Sequence, residues 1–261
     1  IVRRSASAVL ADRYLYIPSV ASCVLLAWAF TSIARNLHAS IRWPAIVIAV
    51  VSIAWAAQAA SYTRVWSDNL TFWSAVTATA PPDALPYREL ATALIDRGRL
   101  EEAEHALQQA LQAKAGPESR AMTYGNLGNL YRRQGRIDDA LQAFESALKI
   151  GAHPILYHNI GMTLMVKIEQ EQSGDQAIVL RDITRARDAF EQALRIGTAP
   201  NAPPAFRQEW NAAKTHALLG QVLFSMGDRT GAREHLQAAL QLEPTGSLAD
   251  MTRQYLKQMG Q

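Results

Sequence analysis

Apolar and small residues recur along residues 84–244 at helical spacing, and the whole pattern repeats four times. The clearest copy reads YGNLGNLYRRQGRIDDALQAFESALKI. On either side of Gly135 its apolar and small residues recur at helical spacing, namely Tyr124, Leu127, Gly128 and Tyr131, then Ala140, Phe144 and Ala147. This spacing predicts two helices, each with one apolar face. One such pair cannot bury its apolar face alone, so we expect several pairs to stack.

The other three copies begin around Leu90–Ala91, Ile160–Gly161 and Leu219–Gly220. In the third copy the second half, marked by Phe190, comes 13 residues later than in the second copy. This delay predicts that both helices of the third pair are lengthened around a displaced turn. The four copies resemble the tetratricopeptide repeat (TPR), a helix pair with a period of about 34 residues. The resemblance implies an all-α fold, with four TPR-like pairs over 84–247 forming an α-solenoid.

The segments on either side of the four pairs also carry helical patterns. Residues 64–83 form a junction that includes a half repeat, predicted as the helix Asn69–Ala80. Residues 248–261 form a capping helix with one apolar and one charged face. Between the third and fourth pairs, a proline-rich stretch is followed by a long helix predicted from about Ala205 to Met226, with a bend of the array at the prolines.

Two long stretches without a charged residue precede the repeats. One lies between Arg13 and Arg35 and the other between Arg42 and Arg64, and each contains 21 residues. A helix of that length crosses a hydrocarbon core about 30 Å thick. A single buried Arg would cost about 3 kcal/mol, so the absence of charge is the more informative property.

Residues 1–63 are therefore predicted to form a transmembrane helical hairpin with crossings at about 14–34 and 43–63. The short connector carries two Arg residues, which favours a cytoplasmic turn. The repeats would then lie on the periplasmic or lumenal side of an integral membrane protein. The alternative is a pair of buried helices in a protein that does not enter lipid.

Charge is distributed unevenly along the chain. Residues 1–63 hold five Arg and one acidic residue, whereas residues 64–261 hold 21 basic and 22 acidic residues. The repeat region has no basic excess, so we expect no nucleic-acid partner. The single cysteine, Cys23, excludes a disulfide within the chain.

The TPR resemblance implies that the first helix of each pair lines a concave groove for a polypeptide or protein ligand. The expected groove residues are Arg88, Asn126, Asn129, Arg133, His158, Asn159, Met162 and Gln221; Arg132 and Lys214 are also expected to point inward. Amide side chains both donate and accept hydrogen bonds, which suits an extended peptide backbone. The alternative is that Asn126 and Asn129 are ordinary scaffold residues of such repeats. In the set that clamps a carboxylate in this family, Asn129 and Arg133 match, but Gly125 replaces a cation.

No catalytic constellation, metal site or cofactor is predicted from the sequence. The six histidines do not cluster at the spacing of metal ligands. Acidic pairs such as Glu101–Glu102 stand at the starts of second helices, where negative charge complements the helix dipole. The expectation is therefore a binding surface without catalytic residues of its own.

A second resemblance concerns the stretch Asp12-Arg13-Tyr14-Leu15-Tyr16-Ile17-Pro18-Ser19. It is similar to a stretch in the transmembrane-and-tetratricopeptide O-mannosyltransferases and their bacterial relatives, which are C-type glycosyltransferases. The resemblance implies a polyprenyl-phosphate sugar donor and an N-terminal membrane domain that this chain lacks. Arg13 would meet the phosphate of the donor lipid through a charge-assisted contact. The alternative role for Arg13 is an interfacial anchor.

The sequence leaves three functions open. The main hypothesis is the C-terminal portion of a membrane glycosyltransferase whose repeats bind a polypeptide acceptor or a partner; the chain alone would have no transferase activity. The first alternative is a non-enzymatic, membrane-tethered TPR scaffold for cell-envelope or secretion assembly. The second alternative is a soluble repeat adaptor, which requires that residues 14–63 do not enter lipid.

Overall fold

A computed structural model describes residues 68–79, 83–171 and 174–259, together with residues 28, 32, 46, 49–58 and 66. Over these ranges all regular structure is helical, and the predicted all-α solenoid is confirmed. Its helices are α1 Asn69–Thr79, α2 Ala84–Asp96, α3 Leu100–Gln112, α4 Pro117–Arg133, α5 Ile137–Ile150, α6 Pro154–Gln170, α7 Gln176–Gly197, α8 Pro204–Glu209, α9 Ala212–Ser225, α10 Arg229–Leu242 and α11 Ser247–Met259.

The predicted transmembrane hairpin lies mostly outside the described residues. Residues 49–58 of the second predicted crossing are helical and exposed. Within the part of the chain that the structure describes, no helix combines the length and apolar character needed to cross a bilayer. Arg13 also lies outside the described residues.

Each helix pair is held by a small residue on its first helix and a large one on its second. A Cβ atom on Gly128 would stand 2.5 Å from the ring of Phe144, and one on Gly161 would stand 2.6 Å from the ring of Phe190. In the fourth pair a Cβ atom on Gly220 would stand 2.7 Å from the side chain of Leu236. Each large residue is fully buried. The small residues of the repeating pattern therefore mark the lines along which paired helices touch.

The turn within a pair is the same in the first, second and fourth pairs. Gly98, Gly135 and Gly227 each adopt a positive φ, at 73°, 76° and 86°. In the second pair, the amide of Arg136, just after the glycine, donates to the carbonyl of Tyr131 at 2.9 Å. Glycine adopts this left-handed conformation without steric cost, and the hydrogen bond satisfies a carbonyl at the end of the first helix.

Stacking of the pairs places the first helices on the inner side of the array. α2 contacts α4, and α4 contacts α6, whereas the second helices α3 and α5 are not packed against each other to a similar extent. In a stack of helix pairs the side along which the first helices follow one another is the concave face. Here α2, α4 and α6 follow one another on that side, and a hydrogen bond between His158 and Thr215 joins α6 to α9. At the ends, α1 packs on α2, and α11 packs on α10 and α9.

The third pair is longer than the others. Gly161 and Phe190 are 29 residues apart, whereas Gly128 and Phe144 are 16 apart. α7 reaches 22 residues, compared with 14 in α5, whereas α6 and α4 both have 17. The prediction that both helices of the third pair are lengthened is therefore confirmed for α7 and wrong for α6. The glycine–phenylalanine contact within the pair is of the same kind as in the second pair.

The single long helix predicted from about Ala205 to Met226 is wrong. The chain instead forms α8 and α9, which are separated by an extended Trp210 (φ −132°, ψ 135°). The side chain of Asn211 caps α9 by accepting from the amide of Lys214 at 2.8 Å. The indole of Trp210 packs against Gly197 at the end of α7, where a Cβ atom would stand 2.1 Å from its ring. The free energy gained by burying this large side chain exceeds the free energy lost by interrupting the helix.

Candidate functional site

The predicted groove residues are distributed over the four helices of the concave face. α2 carries Arg88; α4 carries Asn126, Asn129 and Arg133; α6 carries His158, Asn159 and Met162; and α9 carries Gln221. Arg133 is exposed, and Asn126, Asn129, Met162 and Gln221 are half-buried, so all five are accessible to a ligand.

The other three predicted groove residues are buried. Arg88, His158 and Asn159 retain only 9%, 5% and 8% of their exposure. Side chains buried to this degree support the wall of the groove and present little surface to a ligand. The family pattern predicts which helix carries these side chains, but the packing of neighbouring helices decides how far they are covered.

Arg88 joins the first helix pair to the second. Its Nη1 atom donates to the carbonyl of Ser119 at 3.3 Å and to the hydroxyl of Ser119 at 3.4 Å, and lies 3.2 Å from the sulfur of Met122. Burial lowers the pKa of Arg88 from its ordinary value. The guanidinium thus donates hydrogen bonds within the fold and connects α2 to α4.

His158 belongs to a buried hydrogen-bond network that joins α6 to α9. Its Nδ1 atom lies 2.8 Å from the hydroxyl of Thr215, and the indole N–H of Trp210 donates to the same hydroxyl at 2.8 Å. The Thr215 hydroxyl donates its own proton to the carbonyl of Asn211 at 3.1 Å. All contacts are satisfied when His158 carries its proton on Nδ1, which assigns that tautomer.

Burial, followed by the charges of Lys214 and Arg132, lowers the pKa of His158 to about 4. The ring is therefore neutral near pH 7. Arg132 of α4 and Lys214 of α9 are the cations whose charges act on this neutral ring.

Arg132 is incompletely satisfied within the fold. Its Nε atom is buried and has no hydrogen-bond partner, alone in this respect among the buried side-chain nitrogen and oxygen atoms of the described ranges. Burial lowers the pKa of Arg132, and the neighbouring charge of Arg133 lowers it further. A buried N–H group without an acceptor is uncommon, because it loses a hydrogen bond to water without replacement.

A cleft of about 360 Å³ opens between α1 and α2. Its lining residues are Asp68, Asn69, Leu70, Trp73, Glu89, Thr92, Ala93, Asp96 and Arg97. Asp68 is paired with Arg97 and accepts from the amide of Thr71 at 3.1 Å. Glu89 and Asp96 form no ion pair within the described part of the chain. The lining of this cleft therefore holds more carboxylates than cations.

A histidine pair lies outside the groove, between α9 and α10. The Nδ1 atoms of His216 and His235 are 2.9 Å apart, and their ring centroids are 5.1 Å apart. The two nitrogens thus lie close to the line between the ring centres, as in a head-on N–H···N hydrogen bond. Burial and the neighbouring His235 lower the pKa of His216 to about 4. The described residues contain no group of three or more side chains placed to hold a metal ion.

Fold and groove together define an α-solenoid of stacked helix pairs with a concave binding face. Two parts of this array match tetratricopeptide-repeat models: residues 83–151 match one family model described as a tetratricopeptide repeat, and residues 213–245 match another. The first match covers the first and second pairs, and the second covers the fourth. The lengthened third pair lies outside both matches.

Solved structures of low sequence identity share this fold. A Pseudomonas aeruginosa pilF structure superposes with a TM-score of 0.52 at 17% identity, covering 90% of this chain and 96% of pilF. Human IFIT1, solved as a dimer with PPP-AAAA, gives a TM-score of 0.51 at 22% identity and covers 65% of this chain. The chain spans only 35% of the length of that IFIT1 chain. No curated protein matches the sequence.

Proposed function

We propose that the repeat array binds a polypeptide along the concave face formed by α2, α4, α6 and α9. The observation that carries this proposal is a set of accessible amides without partners in the fold. The side chains of Asn126 and Asn129 are half-buried on α4 and make no side-chain hydrogen bond within the described ranges. Gln221 makes only a long contact, 3.8 Å, with the sulfur of Met251. Such amides pair with both the N–H and the C=O groups of an extended backbone.

The test uses the full chain in detergent and an array of random 12-residue peptides. Wild-type protein should bind a subset of these peptides. Substitution of Asn129→Ala should weaken that binding about tenfold, because a ligand backbone loses its hydrogen-bond partner. Gln108→Ala, an exposed amide on the second helix α3, is the matched control and should bind like wild type. Equal loss in both variants, or no peptide bound, would contradict the proposal.

The membrane context proposed for this module rests on the sequence alone. Residues 1–63 form a transmembrane hairpin, and the repeats lie on the periplasmic or lumenal side. The chain is the C-terminal portion of a polyprenyl-phosphate-sugar-dependent glycosyltransferase, and Arg13 contacts the phosphate of the donor. The stretch Asp12–Ser19 and the two uncharged segments behind it support this assignment.

Expression of the full-length gene tests the enzyme assignment. Membranes containing the wild-type protein should transfer sugar from a polyprenyl-phosphate donor, and Arg13→Ala should raise the KM for that donor. Arg3→Ala, a second basic residue ahead of the first crossing, is the control. Absence of transfer would favour the alternative, a non-enzymatic membrane-tethered scaffold for envelope or secretion assembly, in which the groove still binds polypeptide.

A further inference from the structure

The helices α2 and α4 correspond to each other position by position. At the end of α2, the amide of Arg99 donates to the carbonyl of Leu94 at 2.9 Å. At the end of α4, the amide of Arg136 donates to the carbonyl of Tyr131 at the same distance, 37 residues further along the chain. Under this offset the corresponding residues of α2 and α4 are Glu89 and Asn126, Thr92 and Asn129, and Asp96 and Arg133.

All three of these α2 residues line the cleft between α1 and α2. Their counterparts on α4 are the accessible residues assigned to the polypeptide-binding face, and α2 is in contact with α4. Packed helices lie about 8–10 Å apart, so about three residues of extended chain cover the distance between them. The cleft therefore continues the binding surface of α4, and a polypeptide lying on α4 reaches it.

The cleft has an apolar wall from α1 and a charged wall from α2. Leu70 and Trp73 line it from α1. The indole of Trp73 is in edge contact with the ring of Phe72, with ring centroids 4.8 Å apart, which restricts its movement. On α2, Glu89 is half-buried and Asp96 is exposed, so both carboxylates are accessible. This lining matches a side chain with an apolar stem and a positively charged end.

The two carboxylates of the α2 wall are not compensated by a cation within the described fold. Arg97 also lines the cleft, but it is paired with Asp68. Glu89 and Asp96 form no ion pair within the residues that the structure describes. Two negative charges thus remain in the cleft for a ligand.

From this lining we infer that the cleft between α1 and α2 binds a basic side chain, Lys or Arg, of the polypeptide ligand. The aliphatic stem lies along Leu70 and the indole of Trp73, and the positive charge lies between Glu89 and Asp96. A cation beside an indole gains a cation–π contact in addition to the ion pairs. This inference rests on the proposed polypeptide binding and specifies which polypeptides bind.

The lining favours a basic side chain over other ligands. In the described part of the chain, no three acidic or histidine side chains are placed to hold one metal ion together, so the carboxylates suit an elongated cation. A phosphate group would meet Glu89 and Asp96 as like charges, which costs affinity. A neutral apolar side chain would cover these carboxylates without giving them a partner, which also costs free energy.

The experiment begins with the peptides of the random array that bind to the full chain in detergent. Lys and Arg should be more frequent in these peptides than in the array as a whole. In the tightest binder, replacement of the basic residue by Gln should weaken binding about tenfold, because an ion pair and a cation–π contact are lost together. Fluorescence anisotropy of the labelled peptides measures both affinities.

The double variant Glu89→Gln/Asp96→Asn tests whether the cleft is where this residue binds. The variant should bind the basic peptide about fivefold more weakly than wild type, because only the ion pairs are lost. It should bind the Gln-substituted peptide as tightly as wild type does, since that peptide has no charge to pair. Glu101→Gln/Glu234→Gln removes two exposed carboxylates from second helices and is the control, expected to bind both peptides like wild type.

A second variant tests the indole. Trp73→Leu keeps an apolar side chain but removes the aromatic face, so it should weaken binding of the basic peptide about threefold. Binding of the Gln-substituted peptide and the circular dichroism spectrum should stay unchanged. Full affinity of Trp73→Leu for the basic peptide would overturn the role given to the indole.

The remaining outcomes distinguish this inference from the proposed function. Bound peptides without an excess of Lys and Arg would overturn the inference and leave polypeptide binding intact. Equal weakening of the basic and the Gln-substituted peptide in Glu89→Gln/Asp96→Asn, or the same weakening in the control variant, would also overturn it. No binding of any peptide would overturn both the inference and the proposed function.

Discussion

The second and third helix pairs have the same internal contact but differ in how they join the next pair. In both, a glycine of the first helix lies against a buried phenylalanine of the second, Gly128 with Phe144 and Gly161 with Phe190. The second pair leads into α6 through a short turn. The third pair is longer and reaches the fourth through Trp210 and the network around Thr215. The glycine–phenylalanine contact thus defines each of these repeats. The additional residues of the third repeat are accommodated away from that contact and in the connection to the fourth pair.

Trp210→Ala should have the largest effect, because it removes the residue that connects the third pair to the fourth. Trp210 is 6% exposed, and its indole fills the space beside Gly197. Truncation of a buried aromatic side chain costs about 3–5 kcal/mol of unfolding free energy. Urea denaturation of the full chain measures the loss. Leu242→Ala, at a side chain that is 58% exposed, should change little and serves as the control. A similar loss in both variants would contradict the role of the joint.

Acidification should loosen the same joint. The pKa of His158 falls to about 4 in the folded protein, compared with about 6.5 in the unfolded chain. The unfolded state therefore binds more protons between these values, so stability is full above pH 6.5 and falls as pH drops toward 4. The loss should be about 2–3 kcal/mol.

The control for this pH dependence is His158→Gln, which does not titrate. Its stability should vary less with pH between 6.5 and 4 than that of wild type. The remaining slope in the variant includes His216, whose pKa is also lowered to about 4. An unchanged slope would show that His158 is protonated without cost in the fold.

Gly128→Ala and Gly161→Ala compare the interiors of the two pairs directly. The new methyl group would overlap Phe144 in one variant and Phe190 in the other, at nearly equal distances of 2.5 and 2.6 Å. Overpacking of a close contact costs about 1–3 kcal/mol. We expect equal losses in thermal denaturation. A smaller loss of stability for Gly161→Ala would show that the third pair, with its longer α7, adjusts more easily to the added methyl group.

Removal of helix caps should cause the smallest losses of stability. The loss should also differ between the cap of α10 and the cap of the extended α7. Asp228 caps α10 by accepting from the amide of Gly231 at 2.9 Å, and Asp175 caps the extended start of α7 by accepting from Ala177 at 2.9 Å. Loss of such a cap costs about 1 kcal/mol. Asp228→Ala should lower global stability by this amount. Asp175→Ala should mainly increase amide hydrogen exchange at the exposed start of α7, since that turn lies away from the core. A larger global loss for Asp175→Ala would reverse this order.

Much of the fold is predictable from local pattern because paired helices are close in sequence. The pairing of a small residue, Gly128, with a large one, Phe144, can be recognised within a single repeat. The turn at Gly135 can also be predicted, because it lies between the two helices that carry these residues. The joint at Trp210 is not predictable in this way. Trp210 packs against Gly197 of α7, and the Thr215 hydroxyl that it contacts also bonds His158 of α6, which lies 57 residues earlier in the sequence.

Some properties of the candidate site can likewise be predicted from the sequence, whereas others depend on how the helices pack. The family pattern places Asn129 and Arg133 on the concave face, and the structure leaves both accessible. The burial of Arg88 depends on how closely α4 packs against α2, and that of His158 on the joint to α9.

The sequence by itself determines that this region is a stack of helix pairs, because small and large residues at helical spacing specify contacts between neighbours in the chain. Only the tertiary structure decides which polar groups remain unpaired on the concave face. Pairing there depends on distances between residues of different repeats, and those distances follow from the curvature of the stack. The half-buried side-chain amides of Asn126 and Asn129 are two such groups.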